Sequence, residues 1–343
     1  MNKFPNFPND CKSLLCKHLS KELFEELKNK KTSNGFTLKD AINSGVENID
    51  SGIGVYAGDE ESYSLFAKLF DPIIQEYHGF SPTDKHQSNL NPNDLEAPNP
   101  DPKGQYIVST RIRVGRNIDN MPLGSAITKE QREQVEALVV EGLKQLDGEL
   151  KGKYYPLLGM SKEIQEELIK EHFLFKEGDR FLASAGLNRD WPEGRGIYHN
   201  DNKTFLVWVN EEDQLRIISM QMGGDIKEVF TRLVSAIKSI EKKVNFSYNE
   251  HIGYISSCPT NLGTAMRASV HIALPKLSKN MKLFKDITDK HHLQIRGVHG
   301  EHSQSEGGVY DISNKRRVGV SEVMCVQDMY NGVVELISTE KSL

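Results

Sequence analysis

The chain has 343 residues, with 48 acidic against 43 basic side chains and a formal net charge of −5. That length accommodates two domains with sizeable cores, while the charge balance excludes a dedicated nucleic-acid binder, which needs a strongly basic surface. No apolar run is long enough to cross a membrane, residues 1–10 lack the apolar core of a secretory leader, and Cys11, Cys16, Cys258 and Cys325 show no CxxC spacing, so a soluble cytoplasmic protein with reduced thiols is expected.

Leu15, Leu19, Leu23 and Leu27 recur every four residues and predict a helix over 13–31. Further helices fit 37–46 and 61–77. Between them, residues 50–56 form a Gly-rich loop that lacks the third glycine and the preceding strand of a dinucleotide fingerprint. Nothing before residue 80 reads as a strand, so residues 1–79 are expected to form an all-helical domain. Five of the thirteen prolines (Pro82, Pro92, Pro98, Pro100 and Pro102) fall in the next stretch, which makes 80–104 a linker.

Residues 105–343 mix strands with helices. Over 106–114, Ile107, Ser109, Arg111 and Arg113 alternate with Val108, Thr110, Ile112 and Val114. Helices fit 128–150 and 161–174, capped by Thr128 and Ser161. Strands at 205–211 and 215–220 flank the acidic turn Asn210-Glu211-Glu212-Asp213, and an amphipathic helix covers 225–244. A strand near 252–256, a helix near 278–289, a strand at 293–296, a Gly-rich polar stretch over 297–314 that reads as a mobile loop and a helix over 321–340 complete the pattern. The fold class expected is α+β: a small all-α N-terminal domain plus a larger domain with a mainly antiparallel sheet flanked by helices.

The chemistry concentrates in the larger domain. Cys258-Pro259-Thr260-Asn261-Leu262-Gly263-Thr264 is turn material, with Asn261 and Gly263 suited to positive φ. It feeds a strand with Ala268, Val270, Ile272 and Leu274 on one side and Arg267, Ser269 and His271 on the other. That second face either meets solvent or faces an anion. Arg111, Arg113, Arg216, Arg267 and Arg296 all sit on strands or strand ends. If they converge, each close like-charge pair costs on the order of 4 kcal/mol at an intermediate dielectric, and only a polyanion makes the cluster tolerable. Guanidiniums match phosphate oxygens, and no Walker A sequence or kinase HRD or DFG signature is present. Glu211, Glu212 and Glu301 are the candidate carboxylates for a cationic acceptor. His299 and His302 lack the helical support of a zinc pair, and Lys315-Arg316-Arg317 reads as a solvated turn.

The signature at 258–264, together with 50–56, Ser109-Thr110-Arg111-Ile112-Arg113, Asn210-Glu211-Glu212-Asp213 and 296–308 in that order, resembles the phosphagen (ATP:guanido) kinases over essentially the whole chain. The resemblance implies reversible transfer of the ATP γ-phosphoryl group to a guanidino nitrogen. The short 50–56 loop and Tyr77 ahead of His78 resemble the members that use L-arginine. It implies that Arg111, Arg113, Arg216, Arg267 and Arg296 hold the phosphates of ATP or ADP. Ser109, Thr110, Ile112, His172, Ala268, Ser269, Val270, His271, Gly297, Val298, His299, Gly300 and Glu301 would complete the nucleotide site. Ser51, Gly52, Ile53, Gly54, Val55 and Tyr56 would hold the amino-acid end of the acceptor. Glu212 and Glu301 would grip its guanidinium and take its proton, with Cys258 against it as a thiolate. Arg216 and Arg267 count among the catalytic groups, and Asp50 with Arg180 would link the domains. Magnesium would travel on the nucleotide with no direct protein ligand. Many arginine-using members carry Arg at the position of His299, one lid contact that differs here. A monomer acting on small molecules, with no nucleic-acid or membrane partner, is the implied state.

Overall fold

The computed structural model describes residues 3–297 and 308–343. The expected contacts at Val298, His299, Gly300 and Glu301 lie outside them. Five helices open the chain: α1 (Leu14–His18), α2 (Lys21–Leu27), α3 (Leu38–Glu47), α4 (Glu60–Leu65) and α5 (Ala67–His78). The single helix expected over 13–31 is two. Ser20 adopts extended backbone and its hydroxyl accepts from Leu23 N, which starts a new helix. Leu15, Leu19 and Leu27 are nevertheless all buried, so the four-residue period reported a common buried side rather than a continuous helix. The helix over 61–77 likewise breaks at Phe66. Thr37 and Asp40 cap α3 reciprocally.

Cys11 and Cys16 form a disulfide, which corrects the expectation that all four cysteines are reduced. Ser13 turns the chain and caps α1 by accepting from Cys16 N, and the turn brings the two Cα atoms within 6.3 Å, inside bridging range. Cys258 and Cys325 are free and buried.

The larger domain runs β1 (Ile107–Arg116), α6 (Lys129–Leu143), β2 (Gly152–Pro156), α7 (Lys162–Lys170), α8 (Arg180–Ser184), β3 (Gly196–Asn200), β4 (Phe205–Val209), β5 (Leu215–Met222) and α9 (Ile226–Ile240). A small hairpin, β6 (Tyr248–Asn249) and β7 (Gly253–Tyr254), precedes β8 (Met266–Ala273), α10 (Met281–Lys290), β9 (Leu293–Arg296), β10 (Val309–Asn314) and α11 (Glu322–Ser342). Eight strands form one sheet in the order β2-β3-β4-β5-β1-β8-β10-β9, every neighbouring pair antiparallel. Strand β10 falls in the stretch read as a loop, because Asp311 and Ser313 occupy alternate positions and leave Ile312 as its core residue.

One sheet face packs on α9 and α11. Ile112, Val114, Val270, Ile272 and Ile312 join Phe230, Leu233, Ile237, Met329 and Val333 in a dry core, each such side chain contributing roughly 1.5–3 kcal/mol. The alternation expected for β1 holds from Ser109 onward. A bulge between Ile107 and Ser109 places Ile107 opposite Ile272, so Ile107 joins the core and Val108 is exposed.

The proline-rich segment is packed rather than loose. Leu95 and Ala97 enter the main core, Asp101 accepts from the N–H groups of Gln105, Tyr106 and Ile107, and buried Glu322 accepts from Ser88 and Asn89. The helical domain shares its own core with Leu123, Ile252, Ile255, Leu262 and Val318. Tyr63 donates to Ser256 O at 2.6 Å and Ala57 N to Ser257 O at 2.7 Å. These contacts set the 50–56 loop beside Cys258.

Candidate active site

Strand β1 lies between β5 and β8, and its register determines what meets. Arg113 stands opposite Arg267 on one side and Ile218 on the other, Arg111 opposite Ser269, Ser109 opposite His271, and Gly115 opposite Arg216. Further along, Asp311 pairs with both His271 and Arg296. Residues opposite one another project to the same side of a sheet, so all five arginines share the face away from the core.

That face is electrostatically strained. Burial and then the guanidiniums of Arg216, Arg267 and Arg111 push Arg113 well below the ordinary arginine range. Burial and Arg267 bring Arg111 down to about 10, with its guanidinium 5.3 Å from the Trp208 ring. Among the described residues, the buried Nε atoms of Arg111 and Arg267 have no hydrogen-bond partner. Arg267 does donate from Nη2 to Asp311 at 2.7 Å. Burial alone would raise the Asp311 pKa, but His271 and Arg267 hold it below the usual carboxylate range. Clustered guanidiniums with unmet donors are chemically suited to an anion.

Arg216 is the exception, because the acidic turn clamps it. Its Nη1 lies 2.6 Å from Glu211, its Nη2 bonds Glu212, and its Nε reaches Asp213 at 3.4 Å. Burial opposes its charge, yet the three carboxylates raise its pKa. Gly115 is required here: a Cβ would come within 2.5 Å of Asp213 Oδ2. Glu212 is pushed up by burial, partly offset by Arg216, and it accepts from Asn261 Nδ2 at 3.0 Å.

Glu212 leads into a cleft of about 390 Å³ that continues from Arg113, Arg216 and Arg296 to Cys258 and the 51–56 loop. A larger cleft of about 580 Å³ between α5 and the β6–β7 hairpin holds none of the five arginines, so size does not pick the site. Ser51, Gly52, Ile53 and Tyr56 line the smaller cleft, whereas Val55 is fully buried and Gly54 packs on Leu15 with φ +80°. Burial and Glu212 push the Cys258 thiol up to about 12. Its Sγ lies 3.1 Å from Thr260 Oγ1. Asp50 and Arg180 pair across the two domains, Nη1 to Oδ1 at 2.9 Å.

Not every expected residue reaches the site by its side chain. Ile112, Ala268 and Val270 point into the core, and Thr110 donates to Gly223 O on the core side, so these four can offer only main chain. His172 is exposed on the turn after α7, with φ +62°. In the signature turn Gly263 and Ala265 take positive φ, and Asn261 lies in a short 3-10 turn instead. The reading of Lys315-Arg316-Arg317 as a solvated turn fails for Arg317, which lines the cleft and donates to Thr260 O at 3.0 Å and to Asn261 Oδ1. Arg317 and Asp179 are cleft residues that spacing did not single out. Each acts from a loop or helix end that only tertiary packing brings in.

Comparison with known families agrees with this geometry. The model of the ATP:guanido phosphotransferase C-terminal catalytic domain matches residues 134–343, and that of the N-terminal domain matches residues 9–75. Arginine kinase Lit v 2 of Penaeus vannamei is 58% identical over 336 residues, covering 97% of this chain and 94% of the relative. An arginine kinase of Pachygrapsus marmoratus is 57% identical over 335 residues, with the same coverages, 97% and 94%. Among solved structures, a lombricine kinase superposes with TM-score 0.92 at 40% identity, covering 98% of this chain and 94% of that one. The duplicated taurocyamine kinase of Schistosoma mansoni, with bound transition-state analogue components, gives TM-score 0.91 at 41% identity over 97% of this chain and 47% of that one.

Proposed function

The chain belongs to the ATP:guanido phosphotransferase family, and on that premise we propose that it transfers the ATP γ-phosphoryl group reversibly to L-arginine, giving phosphoarginine and ADP. One observation supports this reading above the others: five arginines share a single sheet face, and three of them, Arg113, Arg216 and Arg296, line a carboxylate-bearing cleft. The higher identity to arginine kinases than to the lombricine and taurocyamine enzymes favours arginine as the acceptor.

Phosphoryl transfer needs little covalent help from protein and much alignment and charge stabilisation. Arg111, Arg113, Arg216, Arg267 and Arg296 would spread the nucleotide phosphates over the sheet, with Ser109, Ser269, His271 and His172 beside them. A guanidinium is non-nucleophilic while protonated. Glu212, made more basic by burial, would align it and accept its proton as nitrogen attacks phosphorus and the β–γ bridging oxygen leaves with ADP. Glu301 is proposed as the second carboxylate. Binding of the guanidinium cation would draw Cys258 back toward thiolate, since an adjacent positive charge reverses what Glu212 does to it.

Among the described residues no group of three His, Cys, Asp or Glu side chains is arranged to hold a metal. The donors facing the nucleotide end are guanidiniums, which fit phosphate oxygens. Magnesium carried on the nucleotide would neutralise phosphate charge and takes no protein ligand in this proposal. We further propose a cytoplasmic monomer with a helical domain at 1–79, a connector at 80–104 and a catalytic domain at 105–343.

The test is a panel of L-arginine, taurocyamine, lombricine and creatine with MgATP. L-arginine should rank first, and a better acceptor among the others overturns the assignment. Glu212→Gln should cut kcat by roughly 10²–10⁴ with the ATP KM little changed and the arginine KM raised; unaltered turnover removes Glu212 as the base.

A further inference from the structure

An α-amino acid with a guanidino tail carries three charges, and the cleft as described answers two of them. Glu212 meets the guanidinium. At the other end, the carbonyls of Gly52, Ile53 and Gly54 turn away to accept from Leu14, Leu15 and Gly45 N–H. Among the described residues no hydrogen bond takes up the N–H groups of Gly52 and Ile53, which leaves main-chain donors for a carboxylate. The α-ammonium still needs an acceptor.

Two carboxylates lie at that end. Asp50 is fully engaged, both of its oxygens held by Arg180. Asp179 lines the cleft beside Ser51, Tyr56 and Leu182. Its Oδ1 caps α8 by accepting from Phe181 N at 2.9 Å and Leu182 N at 3.1 Å. Its Oδ2 takes part in no hydrogen bond among the described residues. Asp179 is close enough to Tyr56 for its charge to add, behind burial, to what raises the phenol pKa.

We propose that Asp179 accepts the α-ammonium of the substrate through Oδ2 and is thereby the residue that selects α-amino-acid guanidines over guanidines lacking that amine. This rests on the reading of the site as an arginine-phosphorylating one. The cap fixes the carboxylate in place, so one oxygen does structural work while the other remains for the ligand. A seated substrate would exclude water from the pair, which strengthens an otherwise exposed interaction.

The experiment compares L-arginine with 5-guanidinopentanoate, its analogue without the amine, in the full-length protein. KM is measured for the first and the competitive inhibition constant for the second. Asp179→Asn retains the cap, since asparagine serves there as well as aspartate, and removes only the charge. In the wild type, arginine should bind about 10–100-fold better than the analogue. In Asp179→Asn the arginine KM should rise by that factor at nearly constant kcat, and the analogue's constant should stay within about twofold, so the discrimination vanishes. Equal weakening of both ligands, or unchanged discrimination, overturns the proposal. If Asp179→Asn does not fold, Asp179→Ser keeps a capping hydroxyl and carries the same comparison. A wild type that ignores arginine altogether refutes the functional reading instead, which is a distinguishable result.

Discussion

On the sheet face proposed for the nucleotide every one of the five arginines sits on a strand, and four strands of one sheet supply them. At the acceptor end the groups come from a loop at 51–56, the start of α8, the signature turn and the segment ahead of α11. The first region is rigid and overcharged, held by a ladder of backbone hydrogen bonds and by the core beneath it. The second is assembled from side chains and free main-chain donors on segments that meet only because two domains share a core. A rigid sheet can hold mutually repelling guanidiniums at the face proposed for an anion, where a loop would let them move apart. The acceptor end needs only a few well-placed partners, because its ligand is small and its charges are spread apart.

The strongest way to break this contrast is to remove one arginine with an acidic partner and one surrounded by its own kind. Arg267→Ala and Arg113→Met should each lower kcat by roughly 10³-fold or more. Their stabilities should move in opposite directions. Losing Arg267 strands buried Asp311, so the melting temperature falls. Losing Arg113 relieves burial of a charge among Arg216, Arg267 and Arg111, so the ligand-free protein melts higher, by roughly 2–4 °C per kcal/mol regained. Melting scans of the two variants check this; a fall for Arg113→Met would show that the sheet face is not strained.

A pH series sharpens the other side. His78 Nε2 bonds Pro259 O at 2.8 Å and supports the signature turn from α5. Its pKa is held down to about 4, by burial first, against the Pro259 bond and with Arg317. His86, lowered to about 4 by burial and Arg116, accepts from Gly319 N at 3.2 Å. Both stay neutral when folded while the unfolded chain protonates near 6.5. Stability is therefore complete above about pH 6.5 and declines as pH falls toward 4. Thermal melts across that window should show the decline, and it should shrink in His86→Asn.

The smallest effect concerns the turn in front of α1, whose first N–H groups hold the carbonyls of Gly52 and Ile53. Opening Cys11–Cys16 by Cys16→Ser closes no large loop, so in oxidising buffer it should cost about 2 kcal/mol, measured by urea unfolding. Under a reductant the difference from wild type should disappear.

Period and composition alone determined that a helical part precedes a sheet part, that Arg111 and Arg113 share a face, and that the strand after the signature turn is split between apolar and donor sides. These are consequences of local repeats, and the sheet kept them. Local pattern could not show the breaks at Ser20 and Phe66, since a buried stripe continues across a cap. Nor could it show the bulge that moved Ile107 into the core, the bridge between Cys11 and Cys16, or the short polar strand β10. Above all, it could not pair Arg113 with Arg267, set Arg317 against Asn261, or bring Asp179 into one cleft with Ser51. Those juxtapositions depend on strand register and on the shared core of the two domains, and both are long-range properties of the chain that no single segment encodes.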